Sequence, residues 1–203
     1  SKILVAAGVI GNLEGFGLEK VGIETKSGGI LTNSFCETSV KNIYAIGDVT
    51  APPWLAHKAS HEGVLVAERI AGKKEVKPLD RENIPGCTYS APQIASVGLT
   101  EDQALELGYD VKIGNVPFLA NGKALAMAED EGFVKTIFDA SNGELLGAHM
   151  VGAEVTELIS TFLVGKELET TFEELTNTVF PHPTMSEILH ESVLSSEERA
   201  IHY

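Results

Sequence analysis

Two cysteines, one tryptophan and no long apolar run mark what this 203-residue chain lacks. Cys36 and Cys87 stand in separate strand-like stretches, SFCETS and GCTYS, and their spacing fits neither a metal knuckle nor a Cys-x-x-Cys redox pair. Buried thiols in a reducing compartment, the bacterial cytoplasm or the mitochondrial matrix, are expected, with no metal site. The longest apolar run, Ile3 to Ile10, is far short of the roughly 20 residues that cross a bilayer, and no cationic segment precedes it. No membrane segment is expected. Positive charge is scarce too, with 15 Lys and Arg against 29 Asp and Glu and a formal net charge of −14. Such a chain repels phosphate backbones, and no basic stripe interleaved with aromatics offsets the repulsion, which excludes nucleic acid as a partner. The acids are spread through stretches such as TFEELTN and LSSEERA, as on solvated helix surfaces.

A hydrophobic content of 43% is enough for one large domain, or a domain plus part of another. The first third reads as α/β, with KILVAAG, GGILTNSF and NIYAIGD as strands. Two prolines then lead into PPWLAHKASHEGVLVAERIAGKK, a helix with Leu55, Ala59, Val66 and Ile70 inward and Gly72 as its stop. Periodicity is lost in KPLDRENIPG, the expected domain boundary. Beyond it the pattern becomes α+β. TEDQALELG is a helix with a Thr100/Gln103 capping box, YDVKIGNVPF and GFVKTIF are strands, and Ser141-Asn142-Gly143 turns the second into ELLGAHMV. AEVTELISTFLVG follows as an amphipathic helix with Val155, Leu158, Ile159 and Phe162 inward, and TFEEL as a short capped helix. Three antiparallel strands with several helices are expected. The chain opens inside KILVAAG rather than at a methionine, so a fragment of a longer protein is expected.

Three stretches carry chemistry. GNLEGFGLEK has Gly15-x-Gly17 but Lys20 in place of a third glycine, so it is not a dinucleotide fingerprint. NIYAIGDVT ends a strand in Gly47-Asp48, which puts an acceptor-only carboxylate at a sheet edge, and WLAHKA opens a helix nearby whose amides favour negative charge. A cofactor site is expected there. FPHPTMSEILHES places His182 five residues before Glu187. Thr184 and Glu187 read as a capping box; alternatively Glu187 holds the imidazole and fixes its tautomer as a proton carrier.

Together NIYAIGDVT, PPWLAHKA, SVGLTEDQA, LANGKALAM, LGAHMVGAEVTELI and HPTMSE resemble the C-terminal portion of the flavoprotein disulfide reductases, in order and from about Lys2 to nearly the end. The resemblance implies an FAD/NAD-linked reductase dimerisation domain, an antiparallel sheet with helices over 80–203. It would be preceded by the end of an NAD-binding domain, 1–11, and a central or FAD-domain segment, 12–79, as an incomplete α/β part. It implies oxidation of protein-bound dihydrolipoamide, FAD and NAD as cofactors of the intact enzyme, a homodimer, and a lipoyl domain and 2-oxo acid dehydrogenase core as partners. Asp48 matches the acid that holds the FAD ribityl and phosphate region, Trp54, Leu55, Ala56 and His57 the helix start against the flavin, and Gly8 a glycine beside the nicotinamide cofactor. His182 matches the catalytic acid/base, and Glu187 the carboxylate that orients it. The chain departs from the pattern at Val9, where many relatives have arginine, and at Pro92-Gln93, where proline-glutamate is usual. It has no FAD fingerprint and no paired redox cysteines, so the fragment alone is expected to lack FAD and turnover. A stand-alone dimerisation module, or a glutathione or mercuric reductase, is the alternative. His61, His149, His190 and His202 are expected to be structural or solvated.

Overall fold

The computed structural model describes residues 2–203. They form two compact units, one ending at Asp80 and the other running Arg81–Tyr203. Ser1, first residue of the 1–11 segment, lies outside the described residues.

The first unit contains α1 (Leu18–Val21), β1 (Thr25–Lys26), β2 (Gly29–Ile30), a 3-10 turn at Gly47–Val49 and α2 (Ala56–Ile70). The β1–β2 hairpin reverses over Ser27 and Gly28, both at positive φ, the geometry that matches the twist of its strands. Gly11 runs against this hairpin so closely that a Cβ would lie 2.7 Å from the Gly28 carbonyl oxygen. At the end of α2 the N–H groups of Gly72 and Lys73 close on the carbonyls of Arg69 and Glu68, as the sequence predicts for a glycine stop. Arg69 pairs with Glu37 at 2.8 Å and lies 4.0 Å over the Phe35 ring, which ties the preceding loop to the helix.

Three strand expectations fail here. KILVAAG has no ladder partner among the described residues, and Ile3 and Leu4 are 92% and 91% exposed. GGILTNSF pairs only at Gly29–Ile30, and NIYAIGD only through the Glu37–Tyr44 bridge. Hydrophobic patterning marks segments able to be buried, but a strand also needs a neighbour for its N–H and C=O groups. The inward face of α2 differs as well. Its buried residues are Lys58, Glu62 and Leu65, while Ile70 is exposed. The buried stripe keeps helical spacing but is built on charge that hydropathy cannot flag.

The second unit is a five-stranded antiparallel sheet in the order β3-β4-β7-β6-β5, formed by β3 (Gly86–Thr88), β4 (Gln93–Gly98), β5 (Val111–Pro117), β6 (Phe133–Asp139) and β7 (Leu145–Gly152). The sequence predicts β5, β6 and β7 and reads GCTYS as strand-like; QIASVG is added against β7, and GCT pairs with it as the edge. Between strands lie α3 (Glu101–Glu106), with its Thr100/Gln103 capping box intact, and α4 (Gly122–Met127). After β7 come α5 (Val155–Glu167), α6 (Phe172–Asn177) with a Thr171/Glu174 box, and α7 (Glu187–Ser195). In the β6–β7 turn the Asp139 carboxylate accepts from the Ser141 N–H, the Asn142 side chain from the Glu144 N–H, and Gly143 takes φ 80°.

Alternation along β6 and β7 sorts the core. Val134, Phe138, Leu145, Ala148 and Met150 join Val155, Ile159 and Phe162 of α5 and Ile188, Leu189 and Val193 of α7 in one buried cluster. Ile137 and Leu146 pack with Ala104 in a smaller cluster. Gln93 holds the sheet to the next helix, since its side-chain oxygen accepts from the N–H and hydroxyl of Thr156 and so caps the start of α5. Helix α7 comes closest to the sheet at Gly114, where an added Cβ would overlap the Ser192 carbonyl oxygen. That carbonyl also accepts from the buried Thr136 hydroxyl at 3.1 Å. Gly114→Ala should therefore destabilise the fold by about 1–3 kcal/mol through overpacking, read as a lower midpoint in urea unfolding, whereas Gly122→Ala, which meets no atom within 4 Å, should be close to neutral by the same measurement.

Candidate functional site

Both charged stretches singled out in the sequence acquire definite geometry, one in each unit. In the second unit the chain leaves α6, passes through the cis His182–Pro183 bond and enters α7 at Glu187. The two Glu187 oxygens do different work. Oε1 lies 2.8 Å from His182 Nδ1, and Oε2 accepts from the Thr184 N–H at 2.8 Å. The orienting and capping roles therefore coexist, because a carboxylate has two acceptors that can face two donors.

The capping box is only half formed. The Thr184 hydroxyl does not accept from residue 187; it donates to the Pro181 carbonyl at 2.7 Å and lies 2.8 Å from the Ser186 hydroxyl. Ser186 holds the N-cap position without a side-chain bond to the helix amides, so the helix starts later than a box on Thr184 requires. Asn121, which the sequence pattern does not single out, completes the support. Its amide donates to the Thr184 carbonyl at 3.1 Å while its oxygen caps α4 at the Ala124 N–H. Thr184 is thus held at both its N–H and its C=O, by side chains from two elements. An Asn before a glycine that opens a helix is the available signal.

Since an ionised carboxylate can only accept, Nδ1 of His182 carries the proton in this bond and Nε2 presents its lone pair outward. The His182 side chain is 78% exposed. Burial pushes the Glu187 carboxyl up, but the Thr184 N–H, the bond from His182 and the nearby charges of His182 and His202 outweigh it and hold the group below its ordinary 4.5. Glu187 also borders a cleft of about 280 Å³, lined besides by Phe180, His190, Glu191 and His202. There His190 donates to the Thr176 carbonyl and stacks on Phe180. Buried Glu191 receives the N–H groups of Ile201 and His202 and lies 3.0 Å from His202 Nδ1. A second His–carboxylate pair in the tail is not visible in the sequence, because its partners meet only when the chain folds back on α7.

In the first unit Asp48 is exposed on the 3-10 turn, and Ala56 and His57 are exposed at the start of α2. Leu55 holds the N-cap position of this 15-residue helix and supplies no side-chain cap. Trp54 is fixed by donation from Nε1 to the Thr50 carbonyl at 2.9 Å. Gly8 takes φ 124° with nothing within 4 Å of a notional Cβ, a bare stretch of backbone. A short connection, residues 50–55, separates the turn that carries Asp48 from the start of α2.

Two family descriptions match the chain. Residues 84–193 match the pyridine nucleotide-disulphide oxidoreductase dimerisation domain, and residues 1–63 match pyridine nucleotide-disulphide oxidoreductase. A dihydrolipoyl dehydrogenase of Zymomonas mobilis is 58% identical over the whole chain, which covers 44% of that protein; one of Bacillus subtilis is 47% identical, with 42% covered. The chain thus spans less than half the length of these relatives. Among solved structures, LpdA of Mycobacterium tuberculosis superposes with a TM-score of 0.85 at 27% identity, over 91% of this chain and 40% of that one. The HOCl-induced flavoprotein disulfide reductase RclA of Escherichia coli gives 0.85 at 25% identity, over 95% of this chain and 44% of that one.

The depressed Glu187 pKa has a defined sign. A carboxyl whose folded-state pKa lies below its unfolded value adds stability that is complete above the unfolded pKa and is lost as pH falls through the folded one. Urea midpoints should fall more steeply between about pH 5 and pH 3 in the native chain than in Glu187→Gln. Parallel curves would remove the carboxylate from the acid response.

Proposed function

Given that this chain belongs to the pyridine nucleotide-disulphide oxidoreductase family, we propose that it is the C-terminal part of a dihydrolipoamide dehydrogenase. The whole enzyme would oxidise protein-bound dihydrolipoamide, with FAD and NAD as cofactors. The observation that carries the reading is the 2.8 Å His182–Glu187 bond, which leaves Nε2 as an outward-facing base. A thiol near pKa 8.5 is mostly protonated at neutral pH, and disulfide exchange needs the thiolate. Nε2 accepts the substrate's S–H proton; the S–H bond breaks, the electron pair stays on sulfur, and the new imidazolium sits against ionised Glu187. The same nitrogen returns the proton in the reverse direction. The acceptor disulfide is not made by Cys36 and Cys87, neither of which is in a disulfide.

For the cofactor the residues of the first unit fit. Asp48 offers an exposed acceptor to ribityl hydroxyls, the exposed start of α2 at Ala56 and His57 suits an electron-rich flavin edge, Trp54 and Leu55 lead into it, and bare Gly8 suits close contact with NAD. FAD, when bound, supplies the two-electron relay between dithiol and NAD. On this reading residues 1–11 close an NAD-binding domain, 12–79 return to the central or FAD domain, and 80–203 form the interface domain. A homodimer is supported by exposed Leu105, Leu119, Leu125, Leu168 and Val179 in the second unit and by the match of residues 84–193 to a dimerisation domain; the family resemblance implies that His182 serves the partner subunit's disulfide. A lipoyl domain and a 2-oxo acid dehydrogenase core are the proposed partners, in the bacterial cytoplasm or the mitochondrial matrix. No helix of the described residues is long and apolar enough to cross a membrane.

In the full-length enzyme, His182→Gln should lower dihydrolipoamide turnover by about 10² to 10⁴, the usual range for a positioned acid/base, with the flavin spectrum and melting temperature kept. Glu187→Gln should cost less, because the amide still caps Thr184 and the imidazole remains. Near-native turnover of His182→Gln in steady-state assays would remove the proton-carrier assignment.

A further inference from the structure

The inward face of α2 holds an ion pair that the proton chemistry does not use. Lys58 and Glu62 are 2% and 4% exposed, and Lys58 Nζ lies 3.0 Å from Glu62 Oε1. Neither group spends its remaining capacity on its own helix. Glu62 Oε2 accepts the Gly47 N–H at 2.7 Å, and Lys58 Nζ donates to the Thr50 hydroxyl at 3.2 Å. That hydroxyl donates in turn to the Gly47 carbonyl at 2.7 Å, which also receives the Thr50 N–H. Gly47 stands at φ 71°, and a Cβ there would press on Ala59 at 3.3 Å.

The two charges therefore grip both ends of the turn that carries exposed Asp48. Apolar packing could fill the same volume, and replacing a buried ion pair by hydrophobic groups is often neutral or stabilising. Stability alone does not account for charge at these positions, whereas directional bonds to the two sides of one exposed carboxylate do. We propose that Lys58 and Glu62 are positioning residues that fix the Gly47–Thr50 turn, and with it Asp48, in the orientation that receives the hydroxyls of the flavin side chain. This rests on the reading of Asp48 as a cofactor contact, and it assigns the pair no contact with the cofactor itself.

The test uses full-length enzyme stripped of FAD and titrated with it, alongside thermal melts and hydrogen exchange of the Gly47 amide in the apoprotein. The Lys58→Met/Glu62→Leu double variant should melt within a few degrees of native. It should lose protection at Gly47 and bind FAD about ten- to a hundredfold more weakly, the scale of one lost hydrogen bond to a charged group. Glu62→Gln, which keeps an acceptor for the Gly47 N–H, should recover much of the affinity. Native FAD affinity in the double variant, with Asp48→Asn weakened, would overturn the positioning role while leaving the cofactor reading in place. Native affinity in Asp48→Asn would overturn both. If the double variant proves too unstable to titrate, Glu62→Gln and Glu62→Ala decide the matter: equal FAD affinities for the two overturn the role, and a difference of tenfold or more in favour of Gln supports it.

Discussion

The approach of α7 to β5 at Gly114 sets the depth of the whole C-terminal half. A side chain there would meet the Ser192 carbonyl, so the missing Cβ lets the helix settle until Thr136 can bond that carbonyl and Ile188, Leu189 and Val193 can enter the sheet's core. Glu187 is the first residue of that helix, and its height above the sheet follows from the same contact. From there the carboxylate meets two donors on the incoming loop, one on His182 and one on Thr184. The position of the His182–Glu187 pair thus follows from a packing constraint further along α7.

Polar geometry does the finer work. Thr184 is gripped at its N–H by Glu187 and at its C=O by Asn121, which removes the slack that a loop between two helices would otherwise have. Each of these bonds contributes only modestly to stability in its own right. Their value lies in the direction they impose on a side chain that is otherwise mostly in solvent. The first unit uses the same logic, with a buried pair of charges bracing a turn on which Asp48 is exposed.

Periodicity made much of the second unit legible. The box at Thr100/Gln103, the short capped helix at TFEEL, the Ser141-Asn142-Gly143 reversal and the inward face of α5 stand as the sequence reads. QIASVG escaped notice because alternating small residues carry little hydropathic signal, yet it pairs along its full length with β7. KILVAAG differs for the opposite reason: strong β character with no partner strand among the described residues. His182 and Glu187 were legible as a pair because they are close in sequence, whereas Glu191 and His202 came together only through the fold. The Lys58–Glu62 stripe was hidden because an amphipathic reading assigns charge to the outside.

Gln93 marks a contrast between two helix starts. Helix α5 is capped by a neutral amide that accepts from Thr156, and the loop into α7 is held by a carboxylate. Protonation changes the acceptor strength of the second and leaves the first untouched. Acid therefore ranks the two regions of one domain by local opening: the loop bearing His182 loosens first, while α5 stays seated on β4 and β7.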